Sequence, residues 1–344
     1  MTKTKIFISI KDKHKAIKSD IISSIQTGRA IADEIFDDMI GDDTGDNISE
    51  RNPRFNELTA QYWVWKHYEE IGNPDYVGFM HYRRHFIFDG SFNTGNKKPW
   101  LPGAPVYITE GFDENCKKNI SDENISKMVA QGYECYVMKK YDINLFENND
   151  LYMKEHYICT IPGAKRIVWD KFYNIVKTLY PQYQEILDKF SYGHTIHCCN
   201  MFIMSKDLFY RYNEFCFNIL CELEKQVDYR FFDSTQMRFI GYIGEYVLTL
   251  FVMILEQENR KIKYLDAIYI ENYDNKKRSF TRNLFAMENR GIYKVINILG
   301  IKIKIKNKYN QLLNLAIQQD YMIRELSSKI SELQEEIILN KHQG

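Results

Sequence analysis

The sequence predicts an α/β domain over residues 1–275, a basic linker over 276–308 and a helical coiled-coil extension over 309–340. Three observations predict this. Short segments rich in β-branched and aromatic residues alternate with longer amphipathic ones through residue 272, the pattern of an α/β sheet. Residues 291–308 carry Lys294, Lys302, Lys304, Lys306 and Lys308 and no acidic residue. Beyond them Ile323, Leu326, Ile330, Leu333 and Ile337 are spaced 3, 4, 3, 4, and Leu312, Ala316 and Gln319 extend the series backward. Ile at successive a positions with mostly Leu at d favours a parallel two-stranded coiled coil, hence a homodimer. An amphipathic helix packed on its own domain is the alternative.

Taken in order, Lys5–Ile10 reads as a buried strand and Ile21–Ile40 as a helix ending in the acidic loop Gly41–Asn47. Asn56–Tyr68 reads as a helix with Leu58, Tyr62 and Trp65 on one face, spaced i, i+4, i+7. The break at Gly72-Asn73-Pro74 leads into Tyr76–Met80, a short apolar strand followed by His81-Tyr82-Arg83-Arg84-His85. Residues 90–115, rich in Gly, Pro and Asn, read as a long loop, and such loops are often functional. Ser121 caps a helix to Gln131; Glu134–Met138 is a strand; residues 164–180 form a helix stopped by Pro181. Asn200–Met204 is a core strand, and Leu208–Val227 and Gly244–Gln257 are helices.

Composition narrows the function classes. Lysine plus arginine and aspartate plus glutamate both number 46, so the formal net charge is zero, which argues against a general nucleic-acid binder. The 15% aromatic share, with 25 Tyr and 21 Phe, suits sugar and nucleobase sites as well as ordinary cores. No amino-terminal apolar run reads as a signal peptide, and no window reads as a spanning helix of roughly 20 apolar residues. The seven cysteines show no zinc or disulfide spacing, so reduced thiols in the cytoplasm are expected.

Three segments are candidates for chemistry. Asp42, Asp43 and Asp46, with Gly45 among them, offer carboxylates to a hard cation or to ribose and base; a solvated turn capped through Asp46, Asn47 and Ser49 is the alternative. Arg83 and Arg84, beside His81 and His85, place fixed positive charge at the carboxyl end of a strand, where open α/β sheets bind ligands and where a guanidinium fork suits phosphate. The alternative is a pair of surface arginines. Glu245, at the predicted start of the last helix, is either a general base or an acid favouring the helix amino terminus; Asp228 and Asp233 are its rivals.

Read together, DDTGDNIS, NELTAQYWVWKH, YVGFMHYRRHF, NMFIM and RFIGYIGE resemble the bacterial domain-of-unknown-function 4422 family over about residues 4–275. Its members lie in capsule and O-antigen biosynthesis and are classed as glycosyltransferases, some as galactofuranosyltransferases. This chain departs from the family in carrying His85 where an aromatic is usual and Tyr246 where arginine commonly follows the glutamate. The resemblance implies a GT-A-like nucleotide-sugar-binding fold and transfer of a sugar from a UDP-sugar donor to a lipid-linked oligosaccharide acceptor. HYRRH stands where the usual metal-binding D-x-D would follow the central strand. The expected assignment is therefore Asp42, Asp43 and Asp46 to the nucleoside, Arg83 and Arg84 to the diphosphate and His81 to diphosphate or sugar. Glu245 is the expected base, with Asp233 second. No metal ligand is assigned; manganese or magnesium held by Asp42, Asp43, Asp46 or Asp89 is the alternative. The five lysines would lay the enzyme against an anionic membrane surface at the inner face of the cell membrane. A non-catalytic nucleotide-sugar or glycan-binding module is the competing reading.

Overall fold

The computed structural model describes residues 2–10, 16–94, 97–100, 103–145, 151–161 and 164–271, and the backbone of three strand segments between 285 and 306. The chain divides into two units, Met1–Lys276 and Lys277–Gly344.

In the first unit β1 (Thr4–Ile10), β2 (Ile22–Gln26) and β3 (Ile40–Gly41) precede the helices α1 (Asn52–Phe55) and α2 (Leu58–Lys66). Then come β4 (Tyr76–His81), β5 (Arg84–Phe86), β6 (Val106–Glu110), α3 (Glu114–Asn119), α4 (Asp122–Val129), β7 (Cys135–Met138) and β8 (Tyr141–Asp142). The helices α5 (Met153–Thr160), α6 (Arg166–Leu179) and α7 (Gln184–Ser191) follow, then β9 (Thr195–Ile196), β10 (Phe202–Ser205), α8 (Lys206–Gln226), α9 (Phe239–Gln257), β11 (Ile262–Leu265) and β12 (Ala267–Glu271).

The central sheet runs β11-β7-β10-β4-β1-β2-β3, with β5, β12 and β6 continuing from the end of β4. Strand β1 pairs in parallel with both β2 and β4, and β10 is antiparallel to its neighbours β4 and β7. The chain thus builds outward from one side of β1 and then returns to the other. Such a reversal leaves a crevice beyond the strands' carboxyl ends, where open α/β sheets place their ligands. That end of β4 is His81, paired with Ser9 of β1.

Burial explains the pattern. Val77 to Met80 is buried on both sheet faces, so β4 reads as a continuous apolar run. Helix α9 is apolar nearly all round because it is packed on several sides; its neighbours include α1, α7 and α8. Gln236–Gln257 is long and apolar enough to cross a membrane, contrary to the expectation that no segment approached that length, but 78% of its most apolar window is buried within the fold. A buried hydrogen bond from Gln61 Nε2 to Asn213 Oδ1, 3.0 Å, ties α2 to α8.

Several expectations need correction. Residues 21–40 are not helical: Ile22–Gln26 pairs in parallel with β1, and Gly28, at φ 66°, turns the chain into a short 3-10 segment. Leu58 is fully buried as expected, but the residues that share the core with it are Ala60, Trp63 and Val64, while Tyr62 and Trp65 are half-buried against Phe217 of α8. The 90–115 loop contains β6. Helix α9 begins at Phe239, not Gly244. Ser121 does cap α4, accepting from the Asn124 amide.

In the second unit β13 (Phe285–Arg290), β14 (Tyr293–Ile298) and β15 (Ile301–Lys306) form an antiparallel three-stranded sheet. Much of the segment expected as a basic linker is therefore strand. The heptad segment 309–340 lies outside the described residues.

Candidate active site

The tight β4–β5 hairpin pairs His81 with Arg84 and sends both toward the same crevice. Strand alternation sends the next residue, His85, the other way, into full burial against Phe112. Arg83 sits in the hairpin turn, where its carbonyl accepts from the Ile270 amide and its guanidinium lies 4.7 Å from the Tyr82 ring centroid. The Arg84 guanidinium packs 4.8 Å from the Trp100 ring and 5.4 Å from that of Tyr269, two rings stacked at 5.6 Å. Its Nε has no hydrogen-bond partner.

Opposite this hairpin stands Glu245, in the second turn of α9, too far along the helix for the dipole role considered from sequence. Gly244, expected as the helix start, and Gly241 before it are both helical and allow close packing. The Cys199 amide donates to Glu245 Oε2 at 3.0 Å, and the Cys199 carbonyl accepts from His81 Nε2. One residue thus ties the base candidate to the β4 histidine. Cys199 and Asn200 hold φ values of 73° and 46°, left-handed conformations uncommon for such residues and often found at functional sites.

Electrostatics follows from desolvation. Burial raises the Glu245 carboxyl above its ordinary value, and the negative charge of Glu57 raises it further. Burial likewise raises Glu57, against the pull of Arg238 and Arg84. Burial, reinforced by Arg84, lowers His81 to about 4, so its imidazole is neutral at pH 7. A carbonyl only accepts, which assigns the proton to Nε2 and leaves Nδ1 as an acceptor.

The acidic loop is built differently. Asp42 is fully buried; its carboxylate accepts from the Gly28 amide (2.8 Å), the Arg29 amide (3.0 Å) and the Ser49 hydroxyl. Asp43 Oδ1 lies 4.0 Å from Arg29 Nε, and exposed Asp46 accepts from the Tyr62 hydroxyl at 3.0 Å. Asp89 accepts from Ser91 and pairs with Lys118 at 3.3 Å. Asp233 caps the turn before α9, accepting from the Thr235 and Gln236 amides, and Asp228 is paired with Arg230. Among the described residues no group of three or more His, Cys, Asp or Glu side chains is arranged to hold a metal ion.

The structure therefore brings together His81, Arg84 and Glu245 of the expected residues, with Arg83 at the rim. Asp42 sits inside its own loop, and Asp233 is engaged by the turn it caps. Sequence reasoning missed Glu57, Cys199, Trp100 and Tyr269, and singled out the Asn200–Met204 segment without giving Asn200 a role. Glu57 lay within the NELTAQYW motif, where it read only as the start of a helix, and Trp100 lay in the loop already marked as functional.

Arginine, histidine and carboxylate thus meet at the reversal point of an open α/β sheet, the place where such folds bind ligands. The family model described as a domain of unknown function, DUF4422, matches residues 5–261, and the chain belongs to that family. It is also similar to a solved structure titled as the apo form of the WbbM bifunctional glycosyltransferase: 31% identity, TM-score 0.70, covering 79% of this chain and 46% of that one. The chain thus matches less than half the length of that protein. Among curated proteins none matches.

Proposed function

We propose that this chain is a glycosyltransferase with a GT-A-like donor site, moving a sugar from a UDP-sugar to a hydroxyl of a lipid-linked surface-polysaccharide acceptor. The observation that carries the reading is the convergence of Arg84, His81 and Glu245 at the carboxyl end of β4, in a chain similar over 79% of its length to a glycosyltransferase. Galactofuranose or galactose is the donor sugar suggested by the family.

In this reading the acceptor oxygen attacks the anomeric carbon while its proton passes to the Glu245 carboxylate. The bond from anomeric carbon to the β-phosphate oxygen breaks, and UDP leaves with its new charge facing Arg84. A desolvated carboxylate with raised proton affinity suits this base role near neutral pH. A guanidinium already in place can stabilise the departing diphosphate without reorganising. Neutral His81, with Nδ1 as acceptor, suits a sugar hydroxyl better than a phosphate oxygen. One carboxylate facing the acceptor gives a single displacement with inversion. No step is routed through a metal.

The test combines a thermal-shift screen of nucleotide sugars with a transfer assay, each with EDTA and with manganese or magnesium. A UDP-sugar should stabilise the protein and support transfer in EDTA. Loss of transfer on chelation, restored by the cation, would return the metal role to the aspartates. The coiled-coil dimer and the lipid-facing lysines are part of the same proposal. They are checked by light scattering and liposome sedimentation of the full chain against a chain ending at about residue 290.

A further inference from the structure

The packing of two helices holds Glu57 in a defined place. It occupies the turn between α1 and α2, preceded by Asn56 at φ 51° and ψ −129°. That turn is pressed onto α9 where the helix has no side chains. A Cβ on Gly241 would lie 2.0 Å from Asn56 Nδ2, and one on Gly244 would lie 2.9 Å from Leu58 Cδ1. Glycine costs a helix interior stability, so two of them within four residues indicate that close approach matters here. Between Asn56 and Leu58, against the same turns of α9 that carry Glu245, is Glu57.

Other elements face the two carboxyls. Arg84 of β5 acts on both; His81 of β4 acts on Glu245, and Arg238, before α9, acts on Glu57. The Asn200 side chain lies close enough to Glu57 to favour its charged form, and its neighbour Cys199 donates its amide to Glu245. Tyr141 of β8, Tyr246 of α9 and the Cys198 thiol are uncharged neighbours that feel the Glu245 charge. His81 is neutral at pH 7, so Arg84 is the permanent cation the two carboxyls have in common.

We propose that Glu57 is the partner carboxyl of Glu245: in the free enzyme the two share one proton opposite Arg84, the guanidinium they have in common, and Glu57 is a positioning residue for the base. Two desolvated like charges side by side do not both ionise readily, even with Arg84 shared and Arg238 drawing on Glu57, and their proton belongs to the pair. Burial raises both groups, in keeping with this. The consequence is that Glu245 stays competent to accept a proton at neutral pH because Glu57 is beside it. The proposal rests on Glu245 as the base.

The experiment uses the full chain and its Glu57→Gln, Glu57→Asp and Glu245→Gln variants, with two readouts. The first is the acid limb of kcat/KM against pH. Glu57→Gln should move it down by about one pH unit, since it removes a like charge, while Glu57→Asp keeps it near the wild-type position. The second is the unfolding midpoint against pH, which needs no turnover. Both carboxyls are raised in the folded state, so they favour folding most below about pH 4 and lose that contribution as pH rises through their folded values. Glu57→Gln should therefore be more stable than wild type at pH 8 and close to it at pH 4. An unmoved acid limb and parallel midpoint curves would overturn the pairing. A normally active Glu245→Gln with the stability difference intact would overturn the base role and keep the pairing. Loss of turnover confined to Glu57→Gln, with Glu245→Gln active, would make Glu57 the base and overturn both assignments.

Discussion

The acidic loop at 42–49 and the niche between β4 and α9 both present carboxylates, and they differ in what those carboxylates already hold. Asp42 is satisfied by two amides and a hydroxyl of its own neighbourhood. Glu245 has one amide from Cys199, with a like charge nearby and a guanidinium across the crevice. A carboxylate that accepts several local donors has its oxygens committed to the turn it stabilises. One desolvated with a single donor has a raised proton affinity and an oxygen to use. The count of acidic residues, which favours the loop, is the wrong measure; local hydrogen-bond satisfaction separates the two regions.

The sharpest way to break that contrast is to remove the charges of the niche. Glu245→Gln keeps the size of the side chain and removes the proton acceptor, so UDP-sugar should still bind while turnover collapses by about 100-fold or more. Arg84→Ala should raise the barrier by about 2–4 kcal/mol, roughly 30- to 1,000-fold in transfer rate. Arg83, in the turn and stacked on Tyr82, should matter less than Arg84. Equal losses in the two arginine variants, measured as kcat/KM on one donor, would show that the rim and the niche act alike.

The loop should respond in the opposite currency. Asp42→Ala strips the Gly28 and Arg29 amides and the Ser49 hydroxyl of their acceptor inside a fully buried site. It should lower stability by about 3 kcal/mol, and the protein that stays folded should keep its turnover. Urea unfolding paired with an activity assay decides it. A stable but inactive Asp42→Ala would put a ligand on that carboxylate and erase the distinction.

How much of this was legible beforehand follows from the range of each signal. Strands β4 and β10 and helices α6 and α8 were readable because their apolar runs and breakers are local. Residues 21–40 were misread because the pairing of Ile22–Gln26 with β1 is a tertiary effect that local propensity does not carry. Arg84 and Glu245 were named from residue type and motif, but nothing in the sequence shows that a hairpin and the second turn of a helix would face each other. Glu57 was invisible for a related reason. Gly241 and Gly244 look like breakers in sequence, and only the packed structure shows them admitting the turn that carries it. The two backbone amides that Asp42 accepts from leave no trace in composition, so its burial inside the loop was not legible either.

His85 supplies the smallest effect and a control for the whole contrast. It shares the hairpin of Arg84 but points to the opposite face, fully buried, with neither ring nitrogen meeting a partner at hydrogen-bond geometry. It is thus desolvated like the niche residues without facing the crevice. Burial, with His81 adding to it, lowers its proton affinity to about 3 from the usual 6.5. As pH falls below 6.5 the unfolded chain takes up a proton that folded His85 refuses, so stability is lost progressively down to about pH 3. By pH 5 the loss is about 2 kcal/mol from this residue. His85→Phe removes the titration and two unsatisfied nitrogens while keeping a planar ring against Phe112. The variant should hold its unfolding midpoint better than wild type between pH 6.5 and 4. His81 titrates with the same sign, so the curve should flatten only in part. Turnover at pH 7 should be unchanged, because both rings are neutral there. If His85→Phe instead abolishes transfer while folding normally, burial without a partner is part of the catalytic arrangement on both faces of β5, and the niche is larger than the Arg84 side alone.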